Sequence, residues 1–109
     1  MSRYDTEQPE RADLDDLSGP AVVMFGTNWC GHCVGAERYL GPALAEHPEV
    51  PVYAVEDGKG RRLGRSYRVK LWPTVIFLRD GEEVDRVVRP TGRAEIDQAL
   101  ASITGGAEG

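Results

Sequence analysis

Cysteine is scarce in this chain, as are histidine, phenylalanine, tryptophan and methionine, each present twice in 109 residues. Two cysteines cannot make a multi-bridge framework. None is needed at this length, since a domain of this size buries roughly 65% of its unfolded surface around one core. No second C-x-x-C and no H-x-x-x-H accompanies the pair, so half of an ordinary zinc site is missing. No stretch approaches the roughly 20 apolar residues of a membrane helix, and no apolar run follows a basic segment near Met1. The expectation is one domain over residues 1–109, monomeric, not inserted in a membrane, without an ordinary export signal and therefore cytoplasmic. Excess positive charge is also lacking: a formal charge of −5 argues against nucleic-acid binding. There is no internal repeat and no low-complexity segment.

What the chain does have is both cysteines in one short stretch, Trp29-Cys30-Gly31-His32-Cys33, directly after an apolar run. Two intervening residues let a helix begin at the first cysteine, where unpaired N–H groups and the helix dipole favour an anion. Cys30 is then the more acidic thiol and the nucleophile. Cys33, one turn further in, can reach Cys30 while shielded from solvent, which suits a resolving thiol. No bound cofactor is expected beyond a reversible Cys30–Cys33 disulfide.

Acidity alone supplies little. Lowering a thiol pKa from about 8.5 to about 7 raises the thiolate fraction roughly 16-fold, and the accompanying loss of nucleophilicity takes back roughly fivefold. The remainder must come from leaving-group ability, the nearby second thiol and orientation of the client disulfide. A groove for client backbone is therefore expected.

Charge is uneven along the chain. In residues 1–19, Arg3 and Arg11 face six acids, a net of −4, whereas residues 59–70 carry Lys59, Arg61, Arg62, Arg65, Arg68 and Lys70 and no acid, a net of +6. The basic run reads as a solvated helix and loop face, or as a docking surface for an acidic client, a reductase or glutathione.

A polar, mobile start over residues 1–8 precedes a short helix from Pro9 to Leu17, with Leu14 and Leu17 on one face and a stop at Gly19-Pro20. Ala21 to Phe25 is a continuous apolar run, as in a central strand covered on both faces. Ala36, Tyr39, Leu40, Ala43 and Leu44 recur at helical spacing from Cys33 to about Glu46. Val52–Val55 and Val75–Leu78 read as further strands, with a short irregular helix over Gly60–Tyr67 between them. Arg79-Asp80-Gly81 signals a hairpin into a weaker strand around Glu83–Val88. A last helix runs from about Arg93 to Ile103, and residues 105–109 should fray. This alternation implies an α/β fold with a central mixed sheet and helices on both faces.

At this point the chain resembles the thioredoxin family over nearly its whole length. The matching features are Trp29-Cys30-Gly31-His32-Cys33 after the first strand, Trp72-Pro73-Thr74 before the third, and Asp80-Gly81 in the closing hairpin. Cys-Gly-His-Cys itself is similar to the motif of protein disulfide isomerase domains. The resemblance implies a thioredoxin fold and a protein disulfide oxidoreductase in cell redox homeostasis and electron transport, acting on disulfide-containing clients. Thioredoxin reductase or glutathione would be its electron partner. It makes Pro73 a cis-proline, against the alternative of an ordinary trans proline at a strand start. Trp29, Gly31, Trp72, Pro73 and Thr74 would form the client site. Trp72 would either narrow the groove or stack on an apolar client side chain. His32, between the thiols, would stabilise the Cys30 thiolate and shift the couple toward oxidising power, or is merely a tolerated surface residue. Trp29 is read either as a lid beside Cys30 or as a core residue, and His47 as a solvated residue at a helix end.

The chain also departs from that pattern. Met24 stands where the family carries a buried acid, so nothing there can accept the proton that Cys33 must lose. The lysine that pairs with the acid is missing, Tyr53 or Ala54 falling at its place, and Glu56 or a water is left as a substitute. Gly26 replaces a usual tryptophan, and Arg89-Pro90 a usual glycine. Slow resolution of mixed disulfides and an unusual client range are expected. A non-catalytic binding or chaperone-like adaptor on the same fold is the alternative reading.

Overall fold

The computed structural model describes residues 4–104; the expected loose segments at 1–3 and 105–109 lie outside the described residues. The elements are α1 (Arg11–Asp15), β1 (Pro20–Gly26), α2 (Gly31–Ala45), β2 (Val52–Glu56), α3 (Arg62–Ser66), β3 (Thr74–Arg79), β4 (Glu82–Val88) and α4 (Ala94–Ile103). The sheet order is β2-β1-β3-β4, with β1 and β2 parallel and the other pairs antiparallel.

The period-two alternation of β1 divides the core. Val22 and Met24 join Val75 and Phe77 under α2 and α4, where Cys33, Ala36, Leu40, Ile96 and Leu100 fill one layer. Ala21, Val23 and Phe25 point the other way, onto Leu14 of α1, Leu63 of α3 and Tyr67. Successive side chains on a strand alternate faces, so a strand covered twice must be apolar throughout. That is why the run Ala21–Phe25 shows no polar interruption.

The hairpin turns on Asp80 and Gly81, with φ of 53° and 82°. Two consecutive positive φ values match the twist of the flanking strands. Gly81 is needed twice over, because a Cβ there would run into the Asp15 carbonyl.

Residues 4–8 are not a loose start. Tyr4 is buried, and Asp5 forms a parallel bridge to Val55, donating its N–H to the Ala54 carbonyl (2.9 Å) and accepting from the Glu56 N–H (2.8 Å). The segment covers the edge of β2 that would otherwise present unpaired backbone groups.

Candidate active site

Strand β1 ends at Gly26, and the loop Thr27–Trp29 delivers Cys30 to the N-cap of α2 in an extended conformation (φ −82°, ψ 125°). No side chain caps this helix in the usual way, so its first N–H groups are directed at the cysteine sulfur. Both cysteines are free thiols; Cys30 is partly exposed and Cys33 is buried.

The two thiols are driven apart in acidity. Burial opposes a thiolate at Cys30, but the backbone N–H of Cys33, the Cys33 thiol and the backbone N–H of His32 donate to it, and Arg89 adds positive charge. The balance holds Cys30 below the ordinary thiol value. Burial pushes Cys33 up to about 11, aided by the facing Cys30 sulfur and only partly offset by the Thr27 backbone and the Tyr4 side chain. From residue 32 it is the backbone N–H that reaches Cys30, and the His32 side chain is exposed.

The Trp72–Pro73 peptide is cis, and Trp72, like Cys30, packs against the cluster that holds Cys33. Trp72 is held from three sides. Its indole Nε1 donates to Asp57 (2.9 Å), its ring meets Trp29 edge-on with centroids 6.0 Å apart, and its carbonyl accepts from the Arg89 guanidinium (2.9 Å). Trp29 is 74% exposed, which rules out the core role. Gly31 is exposed, with open space where a side chain would stand. Thr74 is buried, and its hydroxyl donates to the Leu71 carbonyl (2.6 Å), bracing the proline loop.

Arg89 has φ 50° in the stretch where the resemblance calls for glycine, and its N–H donates to the Pro73 carbonyl (3.0 Å). A left-handed backbone favours glycine, so an arginine here is strained. The basic run lines a depression that ends at Trp72, through Lys59, Arg61, Arg65, Arg68 and Lys70. His47, beyond the far end of α2, faces Glu49 (3.4 Å), and among the described residues no group of three or more His, Cys, Asp or Glu is gathered for a metal.

Met24 is fully buried in the same cluster as Cys33, and Glu56 is engaged by Arg61 (2.7 Å). The residue that sequence reasoning missed is Tyr4, whose side chain reaches Cys33. The available signal was Gly26, a residue without a side chain where a large one is usual.

The comparisons with known proteins agree with this geometry. The thioredoxin family model matches residues 5–102. The solved structure of thioredoxin 2 from Pseudomonas aeruginosa in its reduced form is 53% identical, with a TM-score of 0.84, covering 98% of this chain and 97% of that one. Desulfothioredoxin from Desulfovibrio vulgaris is 30% identical, with a TM-score of 0.73, covering 94% of this chain and 98% of that one. Thioredoxin H-type 1 of Nicotiana tabacum is 37% identical over 71 residues, which are 62% of this chain and 53% of that protein. The match thus spans about half of that curated relative, and 21% of the TPR repeat-containing thioredoxin of Arabidopsis thaliana. With a split-acidity C-x-x-C pair at a helix start, a cis-proline and this match along its length, the chain belongs to the thioredoxin family of thiol–disulfide oxidoreductases.

Proposed function

We propose that this chain reduces disulfides of client proteins in the cytoplasm, working as a monomer and recharged by a thioredoxin reductase or by glutathione. The observation that carries this reading is the split pair: an acidic, reachable Cys30 in contact with a buried Cys33 held near 11. Such a pair attacks through one sulfur and releases through the other. Cys30 attacks a client sulfur and displaces the client's second sulfur as a thiolate. Cys33 then attacks Cys30, the client leaves as a dithiol, and the chain retains the Cys30–Cys33 disulfide.

The cis Trp72-Pro73 segment is the rail along which an extended client lies, with Trp29 and Gly31 at its border and His32 tuning the couple. The depression lined by the basic run favours an acidic partner beside this rail. Insulin reduction driven by NADPH and thioredoxin reductase, or by glutathione, tests the proposal. Cys30→Ser should abolish turnover, and Cys33→Ser should trap the client as a mixed disulfide. Full biological activity in Cys30→Ser would overturn it in favour of the non-catalytic adaptor.

A further inference from the structure

Cys33 lies in an apolar layer with Met24 beside it, yet it must become an anion once per turnover. Among the described residues, the cluster that holds Cys33 also holds Tyr4, whose hydroxyl comes from neither the helix nor its loop. A Cβ built on Gly26 would lie 2.5 Å from the Cys33 sulfur, 2.8 Å from the ring carbon bearing the Tyr4 hydroxyl, and 3.0 Å from that hydroxyl itself. The bare backbone of Gly26 is therefore the floor of a small space shared by the phenol and the thiol. Tyr4 is 5% exposed and packs in the same cluster as Cys33 and Met24.

Its placement is enforced from outside the core. Asn28, two residues before Cys30, accepts the Tyr4 N–H at Oδ1 (2.8 Å) and donates Nδ2 to the Tyr4 carbonyl (3.0 Å). The Asp5 bridge to β2 and the bonds from Gln8 to the Glu56 carbonyl (2.9 Å) and from Arg61 to the Thr6 carbonyl (3.0 Å) fix the residues that follow. An arm anchored at so many points does more than shield an edge. It sets the Tyr4 hydroxyl beside the same space over Gly26 that the Cys33 sulfur borders.

We propose that Tyr4 is a catalytic residue of the resolving step, its hydroxyl donating a hydrogen bond to the Cys33 sulfur as that sulfur becomes anionic, from the space that Gly26 leaves open.

The bookkeeping of the step is complete without an added reactant. In the mixed disulfide, Cys33 loses its proton to solvent or to the departing client sulfur. Its sulfur bonds to the Cys30 sulfur, the Cys30–client bond breaks, and the electron pair leaves with the client. Tyr4 loses no proton. A phenol, with an ordinary pKa near 10, remains a donor throughout the neutral range. It differs in this from a buried carboxylate, which takes up the thiol proton. Hydrogen bonds to an ionised partner are shorter and stronger than neutral ones, so the donor favours the thiolate over the thiol.

The test uses the full chain and the aromatic disulfide dithiobis-nitrobenzoate. The first thionitrobenzoate released reports attack by Cys30, and the second reports resolution by Cys33. Tyr4→Phe keeps the ring and removes the hydroxyl. The first phase should keep its rate, while the second slows about threefold at neutral pH, because raising the Cys33 pKa by about one unit cuts its thiolate about tenfold and the more basic sulfur regains about threefold in nucleophilicity. Asn28→Ala, which loosens the arm but retains the hydroxyl, should slow the second phase by a smaller factor. Second-phase rates equal to wild type across pH 6–9 in both variants would overturn the proposal. Absence of any second phase in the unmodified chain would instead overturn the dithiol mechanism on which the proposal rests.

Discussion

Arg89→Ala separates two duties that the guanidinium performs at once. Its Nε bond to the Trp72 carbonyl (2.9 Å) occupies an acceptor that an extended client needs, and its charge lowers the Cys30 pKa. Alanine keeps the residue-89 N–H for the Pro73 carbonyl and carries the same handicap at positive φ, so the substitution isolates the side chain. The client must displace this bond in the wild type and not in the variant; a bond from a charged donor contributes about 1.5–3 kcal/mol, and about 1 kcal/mol when exposed as here. Its removal is therefore a factor of about five in client affinity. The electrostatic duty runs the other way. Burial of Cys30 is the largest influence on its acidity, the helix N–H groups and the Cys33 thiol counter it, and Arg89 ranks after these. Its loss should slow attack on a small disulfide less than about twofold. Steady-state kinetics on insulin and on dithiobis-nitrobenzoate therefore move in opposite directions: KM for the protein falls about fivefold, while the rate with the small disulfide drops slightly. Two substrates that shift together, or an unchanged KM for insulin, would refute the idea that Arg89 competes with client backbone.

Met24→Asp should speed the second thionitrobenzoate release near neutral pH by about tenfold, because a buried carboxyl can take the Cys33 proton, and should lower stability by about 3 kcal/mol or more in urea unfolding; an unchanged rate would remove the lack of an acid as the reason for slow resolution. The reduced chain should lose stability as pH rises from about 9 through about 11. Cys33 is raised in the fold, so its contribution is complete below the unfolded value and disappears as the folded thiol ionises. Against Cys33→Ser the loss should be about 2 kcal/mol, read from denaturant midpoints, and parallel curves would contradict it. Gly81→Ala should destabilise by at least about 2 kcal/mol, since it combines a φ of 82° with a collision against the Asp15 carbonyl. A midpoint within error of wild type would mean that the hairpin moves away from α1 at little expense.

Much of this molecule was legible from local pattern. The apolar run Ala21–Phe25, the Asp80-Gly81 turn and the helical spacing of Ile96, Ala99, Leu100 and Ile103 each depend on residues within a turn or a strand of one another, and each element formed where that pattern put it. The chemistry of Cys30 was also local, because the N–H groups that lower its pKa belong to the next three residues. The surroundings of Trp29 and Thr74 were not legible for the opposite reason. Whether a side chain at a strand end faces solvent or a loop carbonyl depends on the packing of other segments, as with Thr74 on Leu71.

The sequence by itself determined the strands, the helices and the thiol pair, since these follow from backbone propensity, side-chain period and bonds between near neighbours. Only the tertiary structure decided what surrounds that pair. Tyr4 reaches Cys33 because an arm far away in the chain adds to the edge of β2 and is clamped by Asn28, and Arg89 reaches the Trp72 carbonyl because β4 ends beside the proline loop. Such contacts are fixed by chain closure and the sharing of one space, which leave no periodicity along the sequence. Gly26 and Arg89, each standing where the family pattern has another residue, were the traces of them, and the meaning of Gly26 appeared only once the phenol beside it was in view.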